Sequence, residues 1–159
     1  MSNIGDIALS VGRIPSGLFV LSLEHGTDLK QELILVSWLQ QASFDPPVIS
    51  IAIAKKRLEL LEQTSSFVIN VLGQQNNQLL SQLYKNPQET FSSYPHRPAA
   101  KVKGQIIEDT VAYLECEKMQ INDFGGDHVT IYGKVVAGGL LNTVENSPSV
   151  HLRKNGLSY

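Results

Sequence analysis

Cysteine is almost absent: Cys116 is the only one in 159 residues. A single thiol excludes an internal disulfide framework and any Cys-rich zinc or iron–sulfur site. Histidine is scarce too. His25, His96, His128 and His151 show no ligand spacing, so no metal centre is expected. Neither sign of charge dominates, because thirteen Lys and Arg against fifteen Asp and Glu leave a net charge of −2. That balance gives no bulk electrostatic drive toward nucleic acid or anionic lipid, and neither is expected as a partner. No apolar run approaches the ~20 residues of a membrane helix. The opening stretch MSNIGDIALSVGRIPSG lacks the charged head and long apolar segment of a secretory leader, and the expected location is the cytoplasm. The G-x-S-x-G elbow, the G-x-x-x-x-G-K-[ST] loop and the H-E-x-x-H pair are all missing. With no protein nucleophile in evidence, an enzymatic reaction here would be carried by a cofactor.

What is present is a succession of apolar, alternating segments. At this length a chain buries roughly 68–70% of its unfolded surface, enough for one core without staples, and a single domain over residues 1–159 is expected. Residues 18–23 (LFVLSL), 48–54 (VISIAIA), 67–72 (FVINVL) and 129–136 read as strands bounded by Gly and Pro. Residues 33–40 and 111–121 read as two more. In the latter Ala112, Leu114 and Cys116 lie opposite Tyr113, Glu115 and Glu117, the pattern of a strand with one wet face. Helical spacing is confined to residues 58–64 and 75–84, the second with Leu79, Leu80 and Leu83 on one stripe. Residues 86–100 (NPQETFSSYPHRPAA) read as one long polar connection. Strands that follow one another without regular helices point to a mainly β fold, a closed antiparallel barrel with short helices, since closure removes exposed edges.

Three places carry candidate chemistry. Residues 37–47 (SWLQQASFDPP) read as a strand end opening into a polar loop. There Ser37, Gln40, Gln41, Ala42 and Ser43 offer hydroxyl, amide and backbone groups suited to the edge of a polar heterocycle. The plainer alternative is a strand connection in which Trp38 only packs. Lys55, Lys56 and Arg57 lie where a strand gives way to a helix, a place where orphan N–H groups and cations favour a phosphate. The alternative there is a solvated basic turn. Gly125-Gly126-Asp127-His128 places a histidine beside a carboxylate at a strand mouth, poised to give a proton or hydrogen bond near neutral pH. A hairpin turn capped by its histidine is the alternative. His151 and Arg153-Lys154 offer a further basic contact or a solvated tail. Cys116 sits among apolar neighbours and reads as a core residue rather than a nucleophile.

In this order, the words GRIPSGLFVLSL, VSWLQQASFDPPVISIAIAKKR, SFVINVLG, AYLEC, GGDHVTIYGKVVAG and HLRKNGLSY resemble the flavin reductase-like family. They cover nearly the whole chain, with particular likeness to the flavin reductase domain of cyanobacterial flavodiiron (diflavin) proteins. The resemblance implies a Greek-key split β-barrel that binds FMN, and a homodimer with the flavin near the subunit interface. It implies that Ser37, Trp38 and the Gln40–Ser43 segment meet the ring and ribityl chain. Ser50, Lys55, Lys56 and Arg57 would lie near the phosphate, and Asp127 and His128 would border the face where nicotinamide stacks. Glu32 and Leu33 depart from the pattern, standing where relatives carry a small Gly-containing turn. A stand-alone domain is expected, with its electron acceptor not encoded.

Two functions follow from the resemblance. The first is an NAD(P)H:flavin oxidoreductase that moves a hydride from nicotinamide to flavin, with His128 and Asp127 as catalytic residues. The second is an FMN-binding electron-transfer module that serves a partner protein without its own nicotinamide site. A barrel that has lost its flavin and serves as an interaction domain is a third reading, from a different class.

Overall fold

The computed structural model describes residues 3–141 and 147–158. Met1 and Ser2 of the opening stretch and Tyr159 of the last resembling word lie outside the described residues. Helix α1 (Ile4–Val11) is capped by Asn3, whose side chain accepts from the Asp6 amide at 2.9 Å. None of its residues is buried, although Ile4, Ile7, Ala8 and Val11 follow helical spacing in the sequence. Strands β1 (Phe19–His25), β2 (Lys30–Val36), β3 (Leu39–Ser43) and β4 (Val48–Ala54) follow as two hairpins. A 3₁₀ turn (Lys55–Arg57) runs straight into α2 (Leu58–Glu62), and β5 (Ser66–Val71) returns to pair with β1. Helices α3 (Asn77–Lys85) and α4 (Pro87–Ser93), a small ribbon of β6 (His96–Pro98) and β7 (Gln105–Ile107), and a long hairpin of β8 (Ala112–Asn122) and β9 (His128–Leu140) complete it. No helix among the described residues is long and apolar enough to cross a membrane.

Alternation fixes the faces. In β4, Ile49, Ile51 and Ile53 are buried while Ser50, Ala52 and Ala54 are half-buried. The inner cluster joins these isoleucines to Leu21, Ile34, Phe67, Cys116 and Ile131, so β1, β2, β4, β5, β8 and β9 all contribute. A second cluster covers the outer face, where Leu79 and Leu83 of α3 pack with Val20, Leu33 and Leu72. Gly133 of β9 faces inward because an added Cβ would stand 2.5 Å from the Phe67 ring.

The sheet is antiparallel with strand order β2-β1-β5-β8-β9-β4-β3, and this corrects the expectation of a closed barrel. The ladder ends at β2 and β3, and no hydrogen-bonded ring closes among the described residues. The chain joins the two ends through Ser37 and Trp38. The segment read as one strand over 33–40 therefore breaks there, and its halves pair at opposite ends of the ladder. β2 and β4 face each other across an unpaired seam.

Two further expectations change. The stretch at 86–100 is no single loop: Asn86 accepts from the Glu89 amide at 3.2 Å and Pro87 opens α4. Glu115 is not on a wet face; it is 1% exposed. Its carboxylate accepts from the Ala100 and Lys101 amides at 3.2 and 2.6 Å, so the segment 98–104 covers that side of β8.

Candidate functional site

The seam between β2 and β4 opens into a cleft of about 510 Å³, within the usual range for small-molecule sites. Its walls come from Leu35 of β2 and from Ala52 and Ala54 of β4, with Leu83 and Tyr84 of α3 to one side. Ser37, Lys56, Arg57, His128 and His151 bring polar and charged groups to it. Pairing of β3 with β4 starts at Leu39 and Ile51, with one more bond from the Ala52 amide to the Trp38 carbonyl at 2.9 Å. Beyond it, β4 and the outer edge of β2 have no strand between them among the described residues. Unpaired strand edges supply N–H and C=O groups that a planar heterocycle can meet.

His128 opens β9 opposite Ala54, so it sits at the cleft's mouth. Its Nδ1 lies 2.8 Å from Asp127 Oδ1. An ionised carboxylate only accepts, so Nδ1–H donates and the neutral ring keeps Nε2 as an acceptor. The hydrogen bond from His128, helped by its charge when protonated, holds the Asp127 carboxyl below the usual 3.8. The His128 ring packs on Trp38 with centroids 4.7 Å apart at 43°, and the Arg153 guanidinium lies 4.7 Å from the Trp38 ring centre. The C-terminal segment reaches this place through a bridge between Ser16 and His151.

The three cations part company. Lys55 Nζ is 2.5 Å from Asp123 Oδ2, while its own amide donates to the Asp127 carbonyl at 2.8 Å. Bonding to Lys55 and to the Gly125 amide holds the exposed Asp123 carboxyl below its usual value. Arg57 Nη1 is 2.6 Å from Glu32 Oε1, across the seam. Lys56 lines the cleft with no ion pair among the described residues.

Of the residues singled out in the sequence, Ser37, Lys56, Arg57, His128 and His151 line the cleft, with Trp38 and Asp127 touching His128. Gln40, Gln41, Ala42 and Ser43 do not form a polar loop. They are strand β3, because the turn at Asp45-Pro46-Pro47 brings β4 back antiparallel to them. Gln40, Gln41 and Ala42 are exposed, and the Gln41 amide donates to the Ser43 carbonyl at 3.2 Å. Ser50 is half-buried between Gln40 and Tyr132 in register, outside the cleft lining. The place of Tyr84 in the lining, the pairing of Glu32 with Arg57 and the Arg153–Trp38 contact were not foreseen. No local spacing signals them, since each is made by the return of a distant segment. Cys116 is fully buried, and burial followed by the neighbouring Glu115 charge pushes its thiol up to about 12, which leaves it inert.

Residues 11–156 match the model of the flavin reductase like domain. The chain belongs to the flavin reductase-like domain family. Diflavin flavoprotein A 1 of Synechocystis sp. is 33% identical over 163 residues, and a diflavin flavoprotein A sequence of Nostoc sp. is 35% identical over 160. Each alignment covers 97% of this chain but only 27% of the relative. This flavin reductase-like domain thus spans about a quarter of the length of those relatives. Among solved structures, the Streptomyces globisporus NADH:FAD oxidoreductase SgcE6 superposes with a TM-score of 0.78 at 19% identity, over 92% of this chain and 86% of that one. The flavin reductase HpaC, solved with NADP+, gives 0.76 at 20%, over 91% and 90%. At these identities the likeness is one of fold.

Proposed function

We propose that this chain is an FMN-binding NAD(P)H:flavin oxidoreductase acting in the cytoplasm, with the whole of 1–159 serving as one domain. The observation that carries the reading is the composition of the seam cleft. Apolar walls, unpaired strand edges, two cations and a fixed histidine meet in one space of about 510 Å³. That set suits a flavin nucleotide: a planar ring with a polar edge, a flexible chain and a phosphate. Family membership supports the same reading.

In this assignment Lys56 and Arg57 hold the phosphate through charge-assisted hydrogen bonds. Ser37 and the open strand edges face the polar side of the ring, and Leu35, Ala52 and Ala54 keep water from it. Lys55, engaged by Asp123, and Ser50, outside the lining, would act on the phosphate only indirectly, through the strand and turn that carry Lys56 and Arg57. Trp38, Gln40, Gln41, Ala42 and Ser43 extend the site along the exposed edge of β3, toward a second copy in a homodimer. A flavin held by these residues would supply the hydride-accepting chemistry for reduced nicotinamide. His128, its Nδ1 engaged by Asp127, presents Nε2 to hydrogen-bond the nicotinamide or balance a proton.

A second reading has one observation in its favour. The matched stretch is only 27% of the diflavin relatives, which suits an FMN-binding electron-transfer module fed by a partner protein. Rapid anaerobic mixing of the flavin-loaded protein with NADH or NADPH separates the two. Bleaching of the flavin by either nucleotide supports the oxidoreductase. Reduction by a protein donor alone supports the module.

A further inference from the structure

Glu32 stands on β2 and Arg57 in the 3₁₀ turn after β4, so their ion pair at 2.6 Å spans the open seam where the cleft lies. The Glu32 side chain is 18% exposed and that of Arg57 36%, so water screens the carboxylate little. A phosphate drawn to Arg57 meets a guanidinium with one donor engaged by a carboxylate 2.6 Å away. Lys56, Arg57 and Glu32 together present a formal charge of +1 at the cleft, not +2. We propose that Glu32 is a specificity-determining residue that lowers the weight this cleft gives to a phosphate, so that flavins with and without one are held more evenly. This rests on the flavin reading of the same cleft.

The experiment measures dissociation constants for FMN and for riboflavin, which shares the ring and ribityl chain but lacks the phosphate, by quenching of flavin fluorescence. The readout is the ratio of the riboflavin constant to the FMN constant. That ratio follows the local charge. Glu32→Gln, at +2, raises it at least about tenfold with riboflavin binding unchanged, and Arg57→Gln, at 0, lowers it by a similar factor. Glu32→Gln together with Arg57→Gln restores +1 without the Arg57 donors, so its ratio stands above that of Arg57→Gln alone and below that of Glu32→Gln alone. The double variant strands neither partner as an unpaired charge, so it tests the proposal even where a single variant fails to fold. A ratio that ignores Glu32, or equal changes for both ligands, overturns the proposal while wild-type flavin binding leaves the flavin reading in place. A wild-type protein that binds neither flavin removes both.

Discussion

His128 is held from two sides by forces of different kinds. Asp127 fixes its Nδ1 by a hydrogen bond of 2.8 Å, and Trp38, itself topped by Arg153, fixes the plane of its ring. If this geometry serves hydride transfer, His128→Ala slows flavin reduction by NAD(P)H at least roughly tenfold while FMN stays bound. Stopped-flow traces with unchanged rates would remove the catalytic role. The same contact has a pH signature. The Asp127 carboxyl titrates below 3.8, with the bond from His128 as the largest cause. A carboxyl with a depressed folded value contributes its stabilisation above the ordinary value and loses it as pH falls through the folded one. Carbon-detected NMR is therefore expected to place the Asp127 midpoint below 3.8 in the wild type and to return it toward 3.8 in His128→Ala. Identical midpoints would show that the bond does not form in solution.

At the scale of elements, the outer face of the sheet is tied down by buried polar side chains. Asn70 of β5 donates to the Gln105 carbonyl at 3.2 Å and accepts from the Ile107 amide at 2.8 Å, clamping β7 onto the sheet. Ser22 accepts from the Gln105 amide at 2.9 Å and Ser66 from the Lys103 amide at 3.0 Å. Asn70 is fully buried, so Asn70→Ala leaves these backbone groups without partners. It is expected to cost about 2–4 kcal/mol in denaturant unfolding, and a loss within error of zero would contradict the clamp. The strands were legible because alternation survives wherever one face is buried, as in β4 and the start of β9. Glu115 was misread because a charged residue in an alternating strand signals water, unless a distant segment covers it, as 98–104 does here. The start of α4 did carry a local signal, since Asn86-Pro87 with Glu89 is an N-cap, a first-turn proline and an acidic third position. Helix α1 carried one as well, Asn3 as N-cap with Asp6 in the first turn and Ile4, Ile7, Ala8 and Val11 at helical spacing, and it was passed over.

Across the whole molecule, the seam is the feature that sequence periodicity conceals. Alternation reports which face of a strand is buried but not whether two strands bond, so a closed barrel and an open ladder read alike. The bend at Ser37 and Trp38 lets one stretch of chain serve both ends of the sheet, and the cleft is the space left between them. All three candidate sites were legible as local words and reach the cleft in part, Lys56 and Arg57 on one side, His128 on the other and Ser37 from the bend between them. The rest of the 37–47 stretch, Gln40, Gln41 and Ala42 of β3, is exposed and outside the lining. His151 and Arg153 were flagged only as a basic contact or a solvated tail and Glu32 only as a departure from the family pattern, and the partners they and Tyr84 meet depend on the tertiary fold. In the proposed homodimer the β3 edge adjoins the second copy, and a monomeric mass by sedimentation at micromolar concentration would argue against that arrangement. Replacing Lys56 and Arg57 together by Ala is expected to weaken FMN at least about tenfold, with titration as the measure. An unaltered constant would return the pair to a solvated turn.

The most direct test of the central claim is an FMN titration of the purified protein, followed by visible absorbance. The account predicts saturable uptake with a perturbed flavin spectrum, and a melting temperature that rises with FMN. At a hundredfold excess over the dissociation constant the linkage amounts to about 2.7 kcal/mol. A protein that stays colourless, takes up no added flavin and melts at the same temperature would contradict the assignment of the seam cleft as a flavin site.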